Sequence, residues 1–235
     1  MLSYNNIVLI GTSHISIESI QEVTSYINKN KPAIIALELD KPRLHALFHK
    51  QKPSIHDLRH IGIKGFLITL IGHYIESKLG KLVGVSPGDE MKAAALLAKQ
   101  HKLKLALIDQ PINITLKKLS KQLTKKEIFR FFIDILTSII TRKPKIQPFD
   151  LKKTPPKAVI NQLLSHVKAR YPTIYKVLLQ ERNAIMAKNL YTLATKYPQT
   201  SILAIMGAGH QEDVIKTLKR IQDSNNNNPS PHNSI

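Results

Sequence analysis

At 235 residues, the chain has the length of one sizeable domain, or of one domain carrying a helical insertion, and can bury a substantial core. It contains no Cys, which excludes disulfides, thiolate nucleophiles and Cys-based zinc or iron–sulfur sites, so a metal here must be held by His, Asp or Glu. The formal net charge of +19 points to an anionic partner, a nucleic acid or an anionic membrane surface, but the lysines are spread along the chain and only 6% of residues are aromatic, too few for extensive base stacking.

The N-terminus, MLSYNNIVLIGTSH, has neither a basic n-region nor a long apolar h-region, so a cytoplasmic location, at most peripheral to a membrane, is the expectation. Ile7 to Ile10 is a short apolar run ending at Gly11, the pattern of a buried parallel strand. Helical periodicity follows, with Ser16 placed as its N-cap. Pro32 to Asp40, PAIIALELD, reads as a second buried strand that ends in two carboxylates. This β-α-β opening implies a right-handed crossover and a parallel sheet. The pattern then turns helical through KPRLHALFHK, breaks at Pro53-Ser54, and runs as a long apolar helix to Leu79. SPGDEMKAAALLAKQH places acidic residues in the first turn of an Ala-rich helix. Lys104 to Pro111, KLALIDQP, is a third strand, ending on Asp109.

Two helices follow in PINITLKKLSKQL and TKKEIFRFFIDILTSII, then a Pro- and Lys-rich loop from Lys143 to Pro156, then helices in AVINQLLSHVKARY and TIYKVLLQERNAIMAKNLYTLATKY. Thr200 to Gly209, TSILAIMGAG, is a fourth strand, and HQEDVIKTLKRIQ is a closing helix. The apolar stretches at Gly62–Ile75 and Ile128–Ile140 fall short of the roughly 20 residues a spanning helix needs, so no transmembrane helix is expected. The alternation predicts an α/β fold with a mainly parallel central sheet flanked by helices. One domain over residues 1–222 would carry helical insertions at 41–85 and 112–195, with a disordered polar tail at 223–235.

Two segments share one local design. IVLIGTSH and ILAIMGAGH are each an apolar strand, a G-x-x-H turn and the start of a helix, delivering His14 and His210. In a parallel α/β sheet the carboxyl ends of the strands lie along one rim, where ligands bind. Glu38 and Asp40 end the second strand and Asp109 the third, so that rim collects two His and several carboxylates. Such a set suits Zn, Mn, Co or another divalent ion, or a His/carboxylate acid–base pair. A lone strand-end His is more often a cap or a buried hydrogen-bonding residue, and a lone carboxylate an N-cap; the repeated strand–turn–helix context is what argues for function.

The blocks GTSHIS, ALELDKPRL, PGDEMKAA, LALIDQPINITL, QERNAIMAKNL and AIMGAGHQEDVI, in this order, resemble the TraB family, from about Ile7 to about Leu218. That family includes the PrgY pheromone-shutdown proteins and is similar to the TIKI membrane peptidases, to GumN and, more distantly, to ChaN and erythromycin-esterase proteins. The resemblance implies a ChaN/erythromycin-esterase-like fold. By motif it carries over His14 and His210, Glu38 with Arg43, Glu90, Asp109, and the Glu181-Arg182 pair. In the TIKI relatives the histidines and the glutamate are implicated in metal-dependent peptide-bond hydrolysis. This chain departs from the family in having Gln110 where an Arg usually follows the aspartate, and in ending in a polar tail where many relatives continue into membrane helices.

The expectation is therefore a metal-assisted hydrolase of a peptide, amide or ester. His14, His210 and Glu38 would hold Mn, Co or Zn, with Glu181 or Glu90 as general base, Asp109 in the site, and Arg43 or Arg182 binding the negative end of the substrate. A peptide is the expected substrate or ligand, and the reading admits a homodimer. Two other readings stand beside it: a non-catalytic peptide-binding protein of the pheromone-shutdown kind, and a basic nucleic-acid or membrane-surface binder. His45 and His49, four apart in HALFHK, are a weaker candidate ligand pair, because no acidic residue is in register with them.

Overall fold

A computed structural model describes residues 1–13, 16–49, 86, 88–141 and 156–227. His14 lies outside the described residues, as do the Pro53-Ser54 turn, the apolar helix expected up to Leu79, and most of the Lys143–Pro156 loop. In chain order the elements are β1 (Leu2–Tyr4), β2 (Ile7–Thr12), α1 (Ile17–Asn30), β3 (Ile34–Leu37), α2 (Lys41–Phe48), α3 (Asp89–Gln100) and β4 (Lys104–Leu107). They continue as α4 (Ile112–Gln122), α5 (Lys125–Thr141), α6 (Lys157–Arg170), α7 (Pro172–Tyr175), a π-helical turn (Lys176–Gln180), α8 (Glu181–Lys196), β5 (Ile202–Gly207) and α9 (Gln211–Asn227).

The strands form one sheet in the order β1-β2-β5-β3-β4, with β1 antiparallel and every other pairing parallel, as an α/β fold requires. Every residue of β3 and of β5 is buried, because helices cover both faces of the sheet. The period-2 alternation sorts their side chains into two layers. Ile7, Leu9, Ile34, Ala36, Ala204 and Met206 face Met186 and Leu190 of α8 and Val214 and Leu218 of α9. Ile10, Ile35, Leu37, Leu203 and Ile205 face Val23 and Ile27 of α1 and Met91, Ala94 and Ala98 of α3.

Three local features depart from the sequence reading. The short β1 is an addition, joined to β2 by a tight Asn5-Asn6 turn in which Asn5 takes a left-handed φ of 50°. The late helical run is interrupted by the π turn just before Glu181. The last helix runs to Asn227, into the stretch read as disordered tail. Ser16 caps α1 as expected, its side chain accepting from Ser19 N at 3.3 Å. Gly88, at φ 85°, gives α3 a left-handed N-cap and so starts the helix with Glu90 in its first turn.

The four parallel strands end together. Thr12 pairs with Gly207, and Leu37 with both Ile205 and Leu107, so the residues just past each strand share one edge. Gly11 is needed there: a Cβ on it would lie 2.2 Å from Gln211 Oε1 and 3.0 Å from the Ala208 Cα. Gly11→Ala is expected to cost about 1–3 kcal/mol by overpacking, read from urea melts, because the Ala208 backbone must move and Gln211 must give up its bond to Leu9 O at 3.0 Å.

Candidate active site

Glu38 is the hub of the rim. It is buried one residue past β3. Its Oε2 accepts from the backbone N–H of Gly207 at 2.6 Å, and its Oε1 accepts from Arg182 Nη2 and lies 3.2 Å from His210 Nε2. Asp109, past β4, accepts from Arg182 Nη2 at 2.5 Å, from Arg182 Nε at 3.1 Å and from Arg43 Nη2 at 2.7 Å. Burial alone would raise the Asp109 pKa, but the hydrogen bonds and charges of Arg182 and Arg43 outweigh it and hold the carboxyl below its ordinary value. Burial likewise works against the Arg182 charge, and the carboxylates of Glu38 and Asp109 more than restore it. Both guanidinium groups thus pair with carboxylates of the protein itself; the sequence reading had Arg43 or Arg182 binding the negative end of a substrate.

Arg182 reaches this position through the π turn. Its Nη1 donates to Leu178 O at 3.1 Å inside that wider turn, and the next residue, Asn183, is also turned inward and buried. Asn183 was not singled out from sequence; an Asn within an otherwise good helix-forming segment was the available signal. Its Nδ2 faces Asp213 Oδ2 at 3.5 Å, so its Oδ1 faces His210 Nδ1, at 2.5 Å. This assigns the proton to Nδ1. His210 Nε2 is then either a lone-pair nitrogen fit to bind a metal, or a second N–H paired with Glu38.

Glu90 is buried in the first turn of α3 and accepts from Thr12 Oγ1 at 3.3 Å, which brings it to the end of β2. Thr12 was also missed, since nothing in GTSH distinguishes its hydroxyl. Glu181 is oriented otherwise: its carboxylate is held by Lys118 of α4 at 2.7 Å. Asp40 is a double cap, accepting from Arg43 N at 2.9 Å and from Ile112 N at 2.5 Å, and it steers Arg43 through Nε at 3.2 Å. Gln110 turns its side chain to Thr115 Oγ1 at 2.7 Å, while its carbonyl accepts from Arg43 at 3.3 Å. His45 and His49 stack ring on ring, with centroids 4.1 Å apart.

Two features of the rim bear on a divalent cation. Four buried carboxylates, Glu38, Asp40, Glu90 and Asp109, gather past the strand ends, where Arg43 and Arg182 pair with Glu38, Asp40 and Asp109. The 3.2 Å between His210 Nε2 and Glu38 Oε1 is an ion-pair or hydrogen-bond distance, and that oxygen also accepts from Arg182 Nη2. Among the described residues no group of three or more His, Asp and Glu side chains is arranged to hold a metal, and the expected third ligand, His14, lies outside them. Nor is any helix among them long and apolar enough to cross a membrane.

The model of the TraB/PrgY/gumN family matches residues 3–223. An uncharacterized protein of Methanocaldococcus jannaschii is 36% identical over 226 residues, a match that covers 94% of this chain and 55% of that protein. TraB domain-containing proteins of Bos taurus and Homo sapiens are 20% identical over 240 residues and 19% over 238; each match covers 90% of this chain and 62% of the relative. The chain therefore spans little more than half the length of the relatives it matches. With the family model covering nearly all of the sequence, the chain belongs to the TraB/PrgY/gumN family.

Proposed function

We propose that the chain is a metal-assisted hydrolase acting on a peptide, amide or ester bond, with the reaction at the rim formed by Glu38, His210 and Glu90. The observation that carries this reading is the His210–Glu38 pair, in which Asn183 holds Nδ1 and leaves Nε2 directed at a buried carboxylate. His210 and Glu38, with His14, would hold a divalent ion, which supplies Lewis-acid polarisation of the scissile carbonyl and acidifies water. Glu90 acts as the general base and moves the proton of the attacking water, with Thr12 Oγ1 orienting its carboxylate. Arg182 and Arg43 fix the carboxylates of Glu38 and Asp109 in direction and hold the Asp109 carboxyl below its ordinary pKa. Asn183 is a positioning residue that sets the tautomer of His210.

The test is elemental analysis and titration of the purified protein with Mn, Co and Zn, alongside hydrolysis of an internally quenched peptide library. The parent is expected to bind one equivalent and to cleave with it, and His210→Ala to lose both while keeping its melting transition. A parent that binds peptide without metal-dependent turnover would make it a sequestering protein. A His210→Ala variant with unchanged metal affinity and turnover would sink the proposal.

A further inference from the structure

The first half of α5 turns its charged residues inward and its apolar residues outward. At about 100° per residue, Glu127, Arg130, Phe131 and Asp134 share one face of the helix. That face is anchored. Glu127 is buried and accepts from Thr173 N and from Thr124 Oγ1, both at 2.8 Å. Arg130 Nη1 donates to Arg170 O at 2.7 Å, and Asp134 pairs with the Arg170 guanidinium and accepts from the Tyr171 hydroxyl at 2.5 Å. The opposite arc, about 100° wide, holds Lys125, Lys126, Phe129 and Ile133, all four exposed. Phe129 is 68% exposed, the most of any large apolar side chain among the described residues, and Ile133, one turn on, is 41% exposed.

The two lysines stand against the local electrostatics. They occupy the first turn of α5, where the free backbone N–H groups disfavour cations, and Glu127 is the one acid there. Among the described residues, neither of them has an acidic partner, and the same is true of Lys117 and Lys121 on α4. From Ile112 to Thr141 the acids are Glu127 and Asp134, both held on the anchored face, against Lys117, Lys118, Lys121, Lys125, Lys126 and Arg130. The outward side of α4 has the same composition: Ile114, 43% exposed, shares a face with Lys117 and Lys121, three and seven residues on.

We propose that the outward face of α5 docks on an anionic membrane surface, with Phe129 and Ile133 entering the headgroup boundary and Lys125 and Lys126 meeting the lipid phosphates. An interfacial helix needs an apolar strip bordered by cations and no fitted pocket, which is what this arc presents. The lysine stems lie along the apolar side chains while their ammonium groups stay in the polar layer. The occupant follows from charge complementarity. A second copy of the chain would bring the same lysines against these with no carboxylate to answer them, and a nucleic acid would leave Ile133 in water. The net charge of +19 adds attraction toward an anionic leaflet from farther out. Docking is independent of the hydrolase reading, since no residue of the rim takes part in it.

The test is co-sedimentation of the full chain with vesicles of pure phosphatidylcholine and with vesicles of equal parts phosphatidylcholine and phosphatidylglycerol, at physiological salt. The chain is expected to bind the anionic vesicles at least about tenfold more tightly than the neutral ones. Phe129→Ala with Ile133→Ala should weaken that binding by about tenfold or more, and so should Lys125→Glu with Lys126→Glu. Both double variants should keep the parent's melting transition, because the apolar pair is exposed and acids suit a helix N-terminus better than lysines. Lys219→Glu with Arg220→Glu, the same change of charge at exposed positions of α9, should weaken binding by no more than about threefold. No binding to anionic vesicles, binding unchanged by the Phe129 and Ile133 substitutions, or an equal loss in the α9 variant would each overturn the proposal. So would a concentration-dependent dimer abolished by Phe129→Ala, which puts a second copy on this face, or single-stranded DNA binding lost with the same substitution, which puts a nucleic acid there.

Discussion

Replacing Arg182 with Met is expected to lower the unfolding free energy by about 3–5 kcal/mol at neutral pH, the cost of leaving buried charges without their partner. The Arg182 side chain is only 14% exposed and ties Glu38 to Asp109, whose side chains are 3% and 0% exposed. Methionine preserves much of the volume, so the loss reports the stranded carboxylates rather than a cavity. Arg182→Lys, which keeps the charge but not the forked donor geometry, should fall between parent and Met variant.

The effect has a signed pH dependence. The Asp109 pKa is depressed in the folded protein, so its stabilising contribution is present above the unfolded value of ~3.9 and is lost as pH falls through the folded value. In Arg182→Met, burial is no longer fully offset, the folded pKa of Asp109 rises, and protonation relieves the variant first. The difference between parent and variant should therefore shrink as urea melts are taken from pH 7 toward pH 4. A Met variant within about 1 kcal/mol of the parent at pH 7 would contradict the buried Glu38–Arg182–Asp109 arrangement.

Much of this arrangement was legible in the sequence because strand ends are strong signals. Apolar runs that stop at ELD, IDQ and MGAGH fix where a parallel sheet presents its edge, and so which side chains can meet there. Glu38, Asp109 and His210 follow from that alone. The helical contributions were harder. Glu181 and Arg182 are adjacent in sequence and point about 100° apart on a helix; the sequence reading brought both to the rim, Glu181 as a candidate general base. The π turn before them adds a residue to the helical register, and no composition rule marks such a turn. It turns Arg182 and Asn183 inward and leaves Glu181 to Lys118. β1 was invisible for a different reason: three residues are too few to show a period.

The second large effect is expected at Glu38. Glu38→Gln keeps the shape of the side chain but not its capacity as an acceptor on both oxygens. An amide must turn its NH2 either toward the Gly207 N–H or toward Arg182 and His210, and two of those three partners are donors already. A stability loss of about 1–3 kcal/mol follows from the unsatisfied pair. Under the proposed hydrolase function the loss in kcat/KM should be larger, about a thousandfold or more, because Glu38 touches the His210 nitrogen that the proposal assigns to the reaction. His210→Ala should cost a similar factor. If the two side chains act as one unit, the double variant is no slower than the slower single variant. If the factors multiply, Glu38 and His210 work independently, and the pairing at 3.2 Å is a structural contact rather than the reacting centre. Asn183→Ala separates these cases further. It leaves Glu38 with Gly207 and Arg182 but frees the His210 ring, so the coupled model requires a 10- to 100-fold loss there, beside a stability loss of about 1–3 kcal/mol from the unpaired Nδ1.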